Sequence, residues 1–109
     1  MKEIRTKQEL DEILNSGDNK LVLLKAWSDY CQPCKILGRT LLDIEGGYAN
    51  DYVFLGLDCE EGDDDVVSFL SIFNLPTIII FKKGEEVFRK SGLLTRAQLT
   101  SLLDNFKGK

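Results

Sequence analysis

A chain of 109 residues, 43% hydrophobic and 29% charged, holds one core, so residues 1–109 are expected to form a single globular domain. A net charge of −4 without any basic stripe argues against a nucleic-acid binder, and the longest apolar runs, such as LPTIIIF, are far too short to span a bilayer. The charged start, MKEIRTKQEL, has no apolar signal-peptide core, so a cytoplasmic protein is expected, whose three cysteines would not be structural staples.

In chain order, a very short strand is expected at Lys2–Ile4. Thr6 and Glu9 then form a capping box, followed by Leu10, Ile13 and Leu14 at helical spacing; this helix should end in the loop chemistry of NSGDN. LVLLKAW, 21–27, reads as a buried strand whose only charge is Lys25. A helix is predicted to start at the following cysteine pair and to run through Ile36, Leu37, Leu41, Leu42 and Ile44 to a stop at Gly46-Gly47. YVFLGLD, 52–58, is a second buried strand, and the one charge run, EEGDDD at 60–65, is expected to be a solvated acidic loop. A short helix over Val66–Phe73 follows, its acidic first turn suited to the helix dipole. TIIIF, 77–81, and EVFRKS, 86–91, should form a hairpin across KKGE, and a Thr95–Gln98 capping box opens a last helix to about Phe106. Strands alternating with helices imply parallel crossovers, and the hairpin adds antiparallel pairing. The predicted fold is α/β, a central mixed sheet of four to five strands covered by helices on both faces.

The chemistry concentrates in WSDYCQPCK, residues 27–35. A structural zinc site needs four ligands, and the chain offers no histidine and only Cys59 beyond Cys31 and Cys34, so no metal is expected within one chain. Two readings remain: a pair of buried thiols acting as small hydrophobes, or a redox centre. The position favours the second, because the pair lies where a strand ends and a helix begins. There, unpaired N–H groups and the positive dipole end stabilise a thiolate, the nucleophile of disulfide exchange. Pro33 suits a first helical turn, where its missing N–H costs nothing.

The segment resembles the W-x-x-W-C-G-P-C-K of the thioredoxin family. NLPTIIIFKKGEEV, 74–87, resembles that family's segment around its cis-proline, and Ser91-Gly92 its small-residue pair beside the substrate groove. The likeness runs from residue 4 to about 106 in matching order. It implies a thioredoxin-like fold and a thiol–disulfide oxidoreductase acting on protein disulfides, with Cys31 as exposed nucleophile and Cys34 as buried resolving thiol. It further implies a cis bond before Pro76, a groove floor of Tyr30, Pro33, Leu75, Pro76 and Gly92 with Gln32 beside it, and backbone pairing of Leu75 with an extended substrate. No bound cofactor, a monomer, and a partner flavoprotein of the thioredoxin reductase type complete the expectation. A more oxidising isomerase or oxidant, and a non-catalytic binding module on the same fold, stay open as alternatives.

The sequence departs from the family pattern at five positions. Gln32 replaces the usual glycine, Tyr30 the second tryptophan, and Arg39 falls where the active-site helix usually carries a kinking proline. Lys25 stands six residues before Cys31, where the family buries an aspartate that assists the resolving cysteine, and Gly56 stands where it has a lysine. A modulating role for the two is expected, with the space over Gly56 taking the lysine stem. A lysine in a buried strand must be paired, solvated or deprotonated, or must snorkel to the surface. Cys59 is expected to be an apolar filler, with a regulatory thiol as the alternative.

Overall fold

The structure is a computed structural model that describes residues 1–108. Five strands, β1 (Lys2–Ile4), β2 (Leu21–Trp27), β3 (Tyr52–Asp58), β4 (Thr77–Lys82) and β5 (Glu85–Ser91), alternate with four helices. The helices are α1 (Lys7–Leu14), α2 (Gln32–Ile44), α3 (Asp64–Phe69) and α4 (Arg96–Lys107), with a 3-10 turn over Glu45–Tyr48. The strand order is β1-β3-β2-β4-β5, with β1, β3 and β2 mutually parallel and β4 and β5 antiparallel. The five-stranded mixed sheet with helices on both faces is thus the architecture anticipated from the sequence.

Strand alternation divides β2 between two cores. Leu21 and Leu23 pack with Tyr52, Phe54, Ile78 and Ile80 beneath Leu37, Leu41 and Ile44 of α2 and Leu99 and Leu103 of α4. Val22, Leu24 and Ala26 pack with Leu55, Leu57, Ile79 and Phe81 against Leu10 of α1 and Val66 and Leu70 at α3. Both predicted capping boxes form: Thr6 and Thr95 accept from the backbone N–H groups of Glu9 and Gln98, whose side chains accept in return. The β4–β5 turn has Lys83 and Gly84 both at positive φ, 52° and 82°, the backbone a tight hairpin requires.

Two expected helix ends move, and two side chains fall off an expected apolar stripe. α3 ends at Phe69 instead of Phe73, because Ser71 turns left-handed (φ 53°) while the Ser71 and Ile72 amides donate back to Ser68 and Val67. This αL exit closes the helix and leaves Phe73 86% exposed. α2 ends at Ile44 and tightens into the 3-10 turn through Gly46 and Gly47 rather than stopping there. Ile36 and Leu42, placed on its apolar stripe, are exposed.

Candidate active site

The register gathers the site at one end of the sheet. Ala26 pairs with Thr77 and Thr77 with Ser91, so the chain beyond β2, the chain before β4 and the chain after β5 all emerge there. The first carries Tyr30 to Cys34, the second Leu75-Pro76, the third Gly92. Cys59 joins them, its N–H bonded to the Trp27 carbonyl at 2.8 Å.

Cys31 is the N-cap of α2, in extended conformation (φ −103°, ψ 103°), and Pro33 lies in the first turn. Cys31 and Cys34 are joined in a disulfide with their Cα atoms 5.2 Å apart. The two sulfurs are not equivalent. Cys31 is partly exposed and its Sγ accepts the Cys34 N–H at 3.2 Å, whereas Cys34 is only 2% exposed. After reduction, a free amide at a helix N-terminus favours the thiolate at Cys31.

Opposite this turn the Leu75–Pro76 bond is cis, with Pro76 buried and Leu75 half-buried. Side chains hold the loop: Thr77 Oγ1 donates to the Asn74 carbonyl at 2.6 Å and lies 2.8 Å from Ser91 Oγ. Gly92 donates its N–H to the Pro76 carbonyl at 2.8 Å from φ +98°, where a side chain would be strained. Gln32 and Pro33 are exposed; Tyr30, at 87% exposure, stands out from the surface rather than lining a floor.

Lys25 shares an open cleft of about 380 Å³ with Cys34, Trp27 and Gly38, with Lys35 and Arg39 on its rim. The register does set Lys25 against Gly56, but the space over Gly56 does not hold the lysine stem. The carboxylate of Glu3 occupies it: a Cβ at Gly56 would overlap Glu3. Glu3 is in register with Gly56 from the other side and accepts the Trp27 indole N–H at 3.0 Å. The Lys25 ammonium turns instead toward α2, where a Cβ on Gly38 would lie only 3.0 Å from Nζ, and it sits 5.4 Å from the Trp27 ring centroid. Burial pushes the Lys25 amine below the usual lysine value, opposed by the charges of Glu3 and Glu45. Burial likewise pushes the Cys59 thiol up.

Glu3 and Gly38 were not singled out in the sequence. A mid-helix glycine four residues after the second cysteine, facing a lysine-bearing strand, is the one local signal that points to Gly38; Glu3 offers none.

A thioredoxin family model matches residues 2–105. The chain is 31% identical to a thioredoxin of Mycoplasmoides gallisepticum, over 94% of this chain and 99% of that one, and 31% identical to a thioredoxin of Staphylococcus haemolyticus over 91% of each. Its fold is similar to a reduced thioredoxin pre-protein of Schistosoma mansoni (TM-score 0.83, 25% identity, 95% of each chain). It is also similar to a Plasmodium falciparum thioredoxin (TM-score 0.85, 24% identity, 97% of this chain and 99% of that one). The chain belongs to the thioredoxin family, and its disulfide-bonded CxxC makes it a thiol–disulfide oxidoreductase.

Proposed function

We propose that the protein reduces protein disulfides, with Cys31 as nucleophile and Cys34 as resolving thiol. The observation that carries this is the inequality of the two sulfurs: one partly exposed on an N-cap, the other 2% exposed behind it. The Cys31 thiolate attacks one sulfur of a substrate disulfide; the substrate S–S bond breaks, its other sulfur leaves as a thiolate that solvent protonates, and a mixed disulfide forms on Cys31. The Cys34 thiolate then attacks Cys31 Sγ, the bond to the substrate sulfur breaks, and the substrate leaves reduced while Cys31–Cys34 is oxidised. An extended substrate segment lies beside Leu75 and Pro76, with Gln32, Pro33 and Gly92 around it and Tyr30 as a projecting aromatic contact. The electrons reside on the two sulfurs, so the chain itself carries no cofactor. A flavoprotein of the thioredoxin reductase type restores the dithiol, and the protein works as a cytoplasmic monomer.

One observation favours a more oxidising variant of this activity. Lys35 and Arg39 border the cleft that Cys34 lines, and positive charge there favours thiolate over thiol. Thiolates exist only in the dithiol state, so the reduced form is stabilised and the potential rises.

The test is trapping. In a Cys34→Ser variant, substrates are expected to remain as mixed disulfides on Cys31, and insulin reduction should fall by orders of magnitude. Cys31→Ser should trap nothing. A Cys34→Ser protein that accumulates no mixed disulfides, together with wild-type protein that fails to reduce insulin, would leave only a binding module.

A further inference from the structure

Glu3, Gly56, Lys25 and Ile78 form one row across four adjacent strands, in matched register on the face that α2 covers. Three of the four break the apolar pattern of that face. Two glycines make the break possible. Gly56 has no side chain, so the Glu3 carboxylate folds inward over β3; Gly38 has none, so the Lys25 ammonium enters beside α2, one turn beyond Cys34. Trp27 stands between the two charges, its N–H donated to Glu3 and its ring near Lys25.

From this placement, and resting on the resolving role assigned to Cys34 above, we propose that Glu3 is a positioning residue for disulfide resolution: it holds the Lys25 amine poised to take the Cys34 proton across their shared cleft. In that step the Cys34 S–H proton passes to neutral Lys25. The thiolate attacks Cys31 Sγ, the Cys31–Cys34 bond forms, the Cys31–substrate bond breaks, and the electron pair leaves on the substrate sulfur. The leaving thiolate is protonated from solvent, and the Lys25 ammonium returns its proton there.

The neighbours define what Glu3 contributes. Toward Lys25, α2 presents Cys34, Lys35 and Arg39, and the 3-10 turn presents Glu45. From the sheet come Glu3 on β1, Gly56 and the more distant Asp58 on β3, and apolar Ile78 on β4. Glu45 is tied to the Met1 ammonium at 3.3 Å, and Asp58 Oδ1 accepts the Glu60 amide at 2.9 Å. Glu3 and Glu45 both support the charged Lys25 amine, Glu3 the more strongly. Burial alone weakens the amine as a base; the Glu3 charge restores part of its strength.

The experiment uses full-length protein carrying glutathione as a mixed disulfide on Cys31, and follows glutathione release by stopped flow across pH. In wild type, release should rise with pH through the Lys25 titration, which is followed separately by NMR of its side chain. Glu3→Gln keeps an acceptor for Trp27 but removes the charge. It should move the rising limb and the Lys25 titration to lower pH together, and slow release several-fold on the plateau. Lys25→Met and Lys25→Arg should both lose the limb and slow release by about tenfold or more. Near-UV circular dichroism identifies any variant that fails to fold; for such a variant, the Lys25 titration in Glu3→Gln and the Arg substitution decide. An unmoved limb in folded Glu3→Gln, or a Lys25→Arg protein that matches wild type, overturns the inference and leaves the assignment of Cys34 intact. Wild-type protein that never releases glutathione overturns that assignment instead.

Discussion

The two faces of the central sheet are built from the same five strands, yet they obey different rules. Toward α1 and α3, β2 presents Val22, Leu24 and Ala26, all buried and none of them charged. Toward α2 and α4, it presents Leu21 and Leu23, then Lys25 and Trp27. The break lies only at the end that supports the cysteine turn, and it recruits Glu3 from the edge strand and glycines from β3 and α2. Glycine inside a helix or strand costs about 0.5–1 kcal/mol relative to alanine. Here the glycine on α2 admits Lys25 beside Cys34, and the glycine on β3 admits Glu3 beside Trp27. One face carries stability alone; the other gives up part of its core where the chemistry is.

The largest effect expected from this contrast lies within the cysteine pair, one cysteine partly exposed at the start of α2 and the other buried in its first turn. In reduced protein at neutral pH, iodoacetamide should modify Cys31 about a hundredfold faster than Cys34, given the thiolate preference of an exposed helix start. Mass spectrometry of timed samples reads both rates. Equal rates would erase the distinction between nucleophile and resolving thiol.

A smaller effect sharpens the comparison of faces in stability. Leu24→Ala, on the uniform face, should cost about 2–5 kcal/mol in denaturant unfolding, because it empties a site that is 0% exposed. Lys25→Met, one residue along on the other face, should stabilise the fold at neutral pH. The sign follows from linkage. Folding depresses the Lys25 value below the ordinary 10.5, so the unfolded chain binds more protons in that window. Wild-type stability therefore carries a full penalty below the folded value, and the penalty disappears as pH rises toward 10.5. The advantage of Lys25→Met should shrink over the same range. An advantage that does not change with pH would mean that packing, not charge burial, sets it.

Much of this organisation is legible in the sequence because it is local. Continuous apolar runs mark β2, β3 and β4, Thr6–Glu9 and Thr95–Gln98 mark two helix starts, and the proline between the cysteines marks the third. The pairing of Lys25 with Gly56 could also be anticipated, since both lie in strands whose family counterparts are neighbours. What fills the space between them could not. Glu3 sits in a three-residue strand with no periodicity to read, and its neighbours are fixed only by the register of β1 on β3. Phe73 was misplaced for a related reason. Its spacing from Val66 and Leu70 is helical, but Ser71 adopts a left-handed conformation that favours glycine, and nothing in LSIF announces it.

Cys59 tests whether the uniform face is inert at its functional end. It is half-buried, packs against the α1/α3 core, and is held at the end of β2 by the bond from its amide to the Trp27 carbonyl. Its thiol lies 3.8 Å from the Leu57 carbonyl, a contact that a serine hydroxyl can reproduce. Burial raises its titration point, so at neutral pH it stays a protonated thiol and a poor nucleophile. Cys59→Ser is therefore expected to change insulin reduction less than twofold and unfolding free energy by no more than about 1 kcal/mol. Labelling of Cys59 in wild type should be slow at pH 7 and accelerate steeply as the thiolate forms at higher pH. A large loss of turnover in Cys59→Ser at unchanged stability would place a third working sulfur at the site. The face that looks purely structural would then carry chemistry too.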